Sequence, residues 1–453
     1  MKKIIHLFPL FLGGILFAQN LNNDSIMFKK ISDEVFLHET AYKNLRELCK
    51  NIGNRLSGSE NYEKATAWSL EKLKEAGADK VYYQDVMIPV WKRGKETLRI
   101  KAENGGWKSL RMLSLGNSEG TGGKNLKGEI LFVKNFEELD KLPAEKVKDK
   151  IVFFNYPFNQ TFITTGQAYG EAGKYRYSSA SLVAKKGGKA VIIRSLSSSF
   201  DDVPHTGSMR YEENVAKIPA VAIGAQSADA LEEILKSQKV TAKLNSDCGM
   251  QGEKLSHSVI GEITGKKDQS VIVVGGHLDS WDVGEGASDD GTGIVQSIEI
   301  LRIFKKLGIA NNHTIRVVCF ANEENGVRGG KTYAENVKIS GEKHLFAMES
   351  DGGGFTPRGI SLVMNDEKRA QVQSWRNLFL PYGIYNFEGR YAGTDIDPLE
   401  KLGVPLSELV PDSQRYFDIH HTPEDTFEKV NRREMLLGAI TMAQLIYMID
   451  QNW

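Results

Sequence analysis

Cysteine is scarce in this chain, with three in 453 residues: Cys49, Cys248 and Cys319. Three is too few for a disulfide framework. No Cys-x-x-Cys occurs, which argues against a thiolate zinc site. Cys319 lies inside the apolar run Ile315-Arg316-Val317-Val318-Cys319-Phe320 and reads as a buried thiol. Spacing leaves open whether Cys49 and Cys248 pair after export. Net charge is lacking as well, with 58 Lys plus Arg against 58 Asp plus Glu. No global field draws the chain to nucleic acid or to an acidic membrane surface. Long apolar runs are also missing. The stretch 4–17, interrupted by His6 and Pro9, is too short to cross ~30 Å of hydrocarbon comfortably, and no later stretch is long enough to span.

That N-terminal stretch has its own meaning. Lys2 and Lys3 precede it, Ala18 closes it, and polar Gln19, Asn20 and Asn22 follow. Basic, apolar, small, polar is the order of a secretory signal peptide. A membrane anchor or a buried helix is the plainer reading, and Leu16 at position −3 is larger than such cleavage sites prefer. We expect residues 1–18 to be a signal segment of an exported protein, periplasmic or secreted. Residues 19–40 are then a mature N-terminus or a pro-segment.

What is present is an ordinary soluble composition, 41% apolar and 26% charged. The length exceeds what one hydrophobic core sustains, so two or more domains are expected. Helical periodicity marks 41–48 and 62–76, and alternation marks 81–90 as an extended pair of strands. Between the helices, Gly53-Asn54-Arg55-Leu56-Ser57-Gly58-Ser59 is a loop by composition. Gly116, Gly120, Gly122 and Gly123 mark a boundary. Strands at 129–133, 150–155, 190–194 and 218–223 follow, with helices at 178–186 and 227–235, Ser227 serving as N-cap. We expect 19–112 to be the first part of the main domain, 113–246 a separate α+β insert, and 247–453 the rest of the main domain. From Val259 strands and helices alternate. Apolar runs at 271–274, 314–321 and 345–348 read as strands buried on both faces, and 293–307 and 435–449 as helices. The expected fold is α/β, with a mostly parallel central sheet and helices on both faces.

In open α/β sheets ligands sit beyond the carboxyl ends of the strands. After 271–274 comes Gly275-Gly276-His277-Leu278-Asp279-Ser280. After 314–320 comes Ala321-Asn322-Glu323-Glu324-Asn325-Gly326. After 345–348 comes Glu349-Ser350-Asp351-Gly352. Gly286-Ala287-Ser288-Asp289-Asp290-Gly291 precedes the helix at 293, and His420-His421-Thr422-Pro423-Glu424-Asp425 lies near the C-terminus. Singly, each has a bland explanation: a surface pair, a helix cap, a solvated turn, a loop histidine pair. Together they bring imidazoles and carboxylates to one sheet edge, where unpaired carboxylates would repel and a cation compensates. Mixed N/O ligands suit zinc, with cobalt and manganese left open.

These segments resemble the bridged two-zinc aminopeptidase and carboxypeptidase family. They are His277-Leu278-Asp279-Ser280-Trp281-Asp282-Val283-Gly284, Ala287-Ser288-Asp289-Asp290-Gly291, Glu323-Glu324, Met348-Glu349-Ser350-Asp351 and Tyr416-Phe417-Asp418-Ile419-His420-His421. Ile88-Pro89-Val90-Trp91-Lys92-Arg93-Gly94 and Pro204-His205-Thr206-Gly207 resemble a carboxypeptidase branch of it. The likeness runs from about residue 40 to the C-terminus. It implies that His277 and Asp351 hold one of two zinc ions, Glu324 and His421 the other, and that Asp289 bridges both. His421 rather than His420 is implied because it directly precedes Thr422. The resemblance further implies that Asp279 orients His277 through its other ring nitrogen. Glu323 would be the general base and acid for attack by a metal-bridging hydroxide. Gly393, Thr394 and Asp395 would line the substrate cleft, and 113–246 would be a protease-associated domain. One departure is Thr292, where the family branch has Gly. The implied activity is hydrolysis of dipeptides or short peptides with free termini, with no nucleic-acid partner and no stable membrane insertion. A homodimer is implied by resemblance alone. A broad aminopeptidase is the alternative, and a receptor-like binding protein is the alternative of another class.

Overall fold

A strand whose two faces are both apolar must be covered on both sides, and the centre of the molecule obeys this. The computed structural model describes residues 10–453, with side chains from 23 onward. The leader expected over 1–18 therefore lies outside the residues described with their side chains. Seven strands form the main sheet: Lys80–Lys92 (β1), Gly249–Ile263 (β2), Val271–His277 (β3), Thr314–Phe320 (β4), His344–Glu349 (β5), Pro357–Ile360 (β6) and Leu406–Pro411 (β7). Their order is β1-β2-β4-β3-β5-β7-β6. The middle four, β4, β3, β5 and β7, run parallel, and antiparallel strands flank them.

Every residue of β3 and β4 is buried. Ile272 and Val274 face a core built with the helices Glu60–Glu75, Thr292–Leu307 and Arg432–Asn452. Val271 and Val273 face a second core with Tyr333, Ala334 and Val337 of the helix Arg328–Ser340. Helices therefore cover both faces, as the α/β pattern requires. The helix Leu10–His38 adds Phe28, Ile31 and Val35 to the first core.

An eight-stranded second sheet stands apart, with its own two cores. Leu126–Phe132, Ile151–Phe154, Ala190–Arg194 and Ala220–Ile223 run parallel in it. The helix Thr165–Lys185 contributes Tyr175, Ala180 and Val183 to one core, and the helix Ala225–Leu235 contributes Ala228 and Leu231 to the other.

Four local expectations are revised. The break expected near 113 falls inside this second sheet, because Glu96–Ala102 and Lys108–Leu110 pair within it, the former along Val240–Ser246. The insert thus begins near 96. Residues 81–90 are one strand, not two, with its register shift between Pro89 and Trp91, where proline cannot donate to the ladder. The helix expected over 178–186 starts at Thr165; Gly166, Gly170 and Gly173 obscure its periodicity. Ser227 lies inside its helix rather than at the cap. Its N–H is met instead by the Asp202 carboxylate at 3.1 Å. All three cysteines are buried free thiols, so Cys49 and Cys248 do not pair here. Among the described residues no helix is long and apolar enough to cross a membrane.

Candidate metal centre

The carboxyl ends of β3, β4 and β5 deliver His277, Glu323–Glu324 and Asp351 to one edge, as the topology of an open sheet dictates. The loop into the helix Thr292–Leu307 brings Asp289, and the loop before the last helix brings His421. Asp289 sits at the middle. Its Oδ1 lies 3.1 Å from His277 Nε2 and its Oδ2 lies 3.2 Å from His421 Nε2. On one flank Asp351 Oδ1 is 3.7 Å from His277 Nε2. On the other, Glu324 Oε2 is 3.2 Å from His421 Nε2. All five expected ligand residues therefore meet around Asp289. His420 joins them, its Nε2 3.6 Å from Asp289 Oδ2. His277, Asp289 and Asp351 form one group able to hold a metal ion, and Asp289, His420 and His421 form another. His421 has the stronger position, since it alone of the two histidines also faces Glu324. The His420 ring stacks on His421, centroids 3.5 Å apart, and packs against Tyr169, Tyr416 and Phe417.

The surroundings hold these side chains in place. The peptide between Asp289 and Asp290 is cis. Asp290 turns inward, its carboxylate accepting the N–H groups of His277 and Gly293. Asp425 accepts the N–H groups of Ser288 at 2.8 Å and Asp289 at 3.1 Å. Fully buried Arg55 donates to the carbonyls of Leu278, Glu285 and Gly286 at 2.6, 2.9 and 2.9 Å. It thereby ties the loop after His277 to the loop before Asp289. The insert grips the remaining loop: Thr206 N–H donates to the His421 carbonyl at 3.0 Å, and His205 Nδ1 contacts the His420 carbonyl at 2.8 Å. Arg93 joins Asp282 to Thr206.

Asp279 behaves differently from expectation. Its backbone carbonyl, not its carboxylate, lies 2.9 Å from His277 Nδ1, while the carboxylate is 3.8 Å away. The carboxylate instead accepts the N–H of Glu323 at 3.0 Å. It orients the Glu323 loop directly and the histidine only through its main chain. Of the expected cleft segment, Thr394 alone lines the cleft. Gly393 is packed so closely on Glu349 that a Cβ would strike it, and Asp395 is buried beneath with neither carboxylate oxygen hydrogen-bonded. Arg55, Asp425 and His420 escaped the sequence reading as contributors. The only signal for the latter two was their place in the His420–Asp425 segment.

Burial and neighbouring acids together push the Glu323 carboxyl up to about 7, with Asp351, Asp279 and Asp289 adding to burial and His277 opposing. Burial, reinforced by Asp289, takes Glu324 to about 8. Burial alone would lower His277, but Asp289 and Asp351 carry it well above the ordinary imidazole value. Four acidic side chains share this knot with a few imidazoles, and buried Asp289 Oδ2 and Asp351 Oδ1 have no aligned hydrogen bond. Unpaired buried carboxylate oxygens are costly. Carboxylate and imidazole donors converging from two sides are what divalent cations would satisfy. The residues fit metal ions. The centre floors a cleft of about 670 Å³ whose far wall comes from the insert through Tyr169, Arg176, Tyr177 and Arg210.

Residues 258–446 match the model of peptidase family M28. Carboxypeptidase Q of Mus musculus is 32% identical over 465 residues, covering 98% of this chain and 96% of the relative. This chain belongs to peptidase family M28. Carboxypeptidase Q of Homo sapiens is 34% identical over 411 residues, covering 90% of the chain and 85% of the relative. A solved M28 peptidase precursor from Shewanella amazonensis superposes with a TM-score of 0.90 at 33% identity, covering 95% of this chain and 97% of that one. As an M28 peptidase the chain is a metallo-exopeptidase, and the alternative of a non-enzymatic binding protein falls away.

Proposed function

We propose that this M28 peptidase is a two-zinc exopeptidase that hydrolyses dipeptides or short peptides with free termini, in the manner of its carboxypeptidase Q relatives. One observation carries the reading: the two oxygens of Asp289 each face a different imidazole, with Asp351 beyond one and Glu324 beyond the other. His277 and Asp351 would hold one ion and Glu324 and His421 the other, with Asp289 shared. Zinc is the cation this mixed N/O donor set suits, with an open position left on the cleft side. When bound, the pair of ions supplies Lewis acidity that polarises a peptide carbonyl and acidifies water.

The chain's own residues do the rest. Glu323 lines the cleft beside the ligand residues. A carboxyl raised toward neutrality takes a proton from the attacking water and returns it to the leaving amine nitrogen. Asp279 fixes the peptide that carries Glu323. Thr394 touches substrate at the cleft wall, with Gly393 and Asp395 supporting it from behind. The unit 96–246 is the protease-associated insert. The leader pattern at 1–18 assigns the protein to the periplasm or the outside medium.

The test is Glu323→Gln. This variant should retain both zinc ions by elemental analysis and lose about 10²–10⁴-fold in kcat on an unblocked dipeptide. Turnover at the wild-type rate removes Glu323 from the reaction, and a protein that holds no zinc removes the metal centre.

A further inference from the structure

The cleft contains a buried positive charge that the chemistry above does not use. Arg176, on the helix Thr165–Lys185 of the insert, is 2% exposed and lines the cleft. Its guanidinium lies between the rings of Tyr169 and Tyr177, 5.1 and 4.9 Å from their centroids, and donates to both hydroxyls at 2.5 and 3.1 Å. Those partners are neutral. Among the described residues no carboxylate pairs with it, and its Nε has no hydrogen bond. A buried cation without an anion is costly and is kept where an anion arrives.

Its location says which anion. A Cβ on Gly207, a residue held at φ +128°, would lie 2.5 Å from Arg176 Nη1 and 2.7 Å from His421 Nδ1. The absence of a side chain at 207 lets the guanidinium come up beside the metal-facing histidine. One extended residue spans ~3.5 Å. Arg176 lines the same cleft as Asp289, Glu324 and His421, so the carboxylate one residue beyond a peptide carbonyl at the metal centre falls on a scale the cleft spans. Exposed Arg210 and Lys331 widen the positive wall. The Lys331 ammonium is pushed down, by burial first and then by Arg210 and Arg328, with Asp395 opposing. The acidic groups lining the cleft, Asp289, Glu323, Glu324 and Asp351, all belong to the metal centre.

We infer that Arg176 is the residue that recognises the free α-carboxylate of the substrate and limits cleavage to the last peptide bond. This deepens the exopeptidase reading and rests on it. Planar, bidentate recognition of a carboxylate is what a guanidinium does best. The insert thus supplies specificity to chemistry carried by the main domain, and a single C-terminal residue is released.

The test compares glycyl-leucine with glycyl-leucinamide. Zinc-loaded wild type should prefer the free acid by about 10²-fold or more in kcat/KM, the contribution of charged hydrogen bonds. Arg176→Met should bring that ratio toward one, and Arg176→Lys should recover part of it. Titration of the Glu323→Gln protein with both peptides reads the same preference in Kd without turnover. If Arg176→Met does not fold, the wild-type ratio and this titration still decide. Equal use of acid and amide by wild type, or an unchanged ratio in Arg176→Met, overturns the assignment while leaving the exopeptidase reading intact. Failure of zinc-loaded wild type on both peptides removes that reading and the assignment together.

Discussion

Arg55 offers a sharp test of how the metal centre is held. Its side chain is fully buried and has no carboxylate partner; it spends its donors on the carbonyls of Leu278, Glu285 and Gly286. Two of these carbonyls lie in the segment just before Asp289, and one follows His277. Arg55→Met keeps the bulk of the stem and leaves three interior carbonyls without donors. Hydrogen bonds to charged groups are worth about 1.5–3 kcal/mol each, so the loss should be about 5 kcal/mol once partial relaxation is allowed. Against a typical domain stability of about 5–15 kcal/mol, that lowers the melting temperature by roughly 10 °C or more. The same change frees the two loops from each other, and zinc affinity should fall about 10–100-fold, the range seen for groups that orient ligands. Arg55→Lys keeps the charge but replaces a fork by a point, so both effects should be roughly halved. Circular dichroism melts and competition with a chromophoric chelator measure the two quantities. An Arg55→Met protein that melts within about 2 °C of wild type and competes for zinc as well would refute the bridging role.

Other outcomes follow from the same centre. Asp425→Asn removes half of the acceptor capacity that holds the Ser288 and Asp289 amides; zinc affinity should drop about 10-fold or more, and an unchanged value in the same chelator competition would contradict that role. Stripping zinc with a chelator leaves the carboxylates around Asp289 uncompensated. The metal-free protein should melt lower and recover on zinc addition, with about 4 kcal/mol of stabilisation at a thousandfold excess over Kd. A melt indifferent to zinc argues against occupancy of the centre.

Strand ends were the legible part of this chain. Runs such as 271–274 are apolar at every position, which only a strand buried on both faces tolerates, and the chemistry begins where the run stops. That pattern alone puts His277, Glu323, Glu324 and Asp351 at one edge. Asp289 and His421 needed the family likeness, because an acid before a helix and a histidine in a loop are common on their own. Arg55 was invisible for a physical reason: one arginine in a Gly-, Ser- and Asn-rich loop gives no pattern, and its burial depends on two loops over 200 residues away. Arg176 was hidden by the glycines that blur its helix. The insert boundary was misplaced because 96–102 alternates like any strand, and only pairing with Val240–Ser246 reveals its sheet. The Asp279 expectation missed because sequence names the residue but not which of its oxygens reaches the ring.

The grip of the 205–206 segment on the His420 and His421 carbonyls makes the two halves one machine. β1 finds its partner β2 only after the whole insert has emerged, Lys92 opposite Gly249 and Lys80 opposite Glu262. A nascent chain must therefore release all the strands of its second sheet before the first can zip along that edge, and long-range pairing of this kind is slow. An engineer who trims the enzyme to its catalytic core would remove a clamp, not a decoration, and would be left with a histidine loop that no longer knows where to sit.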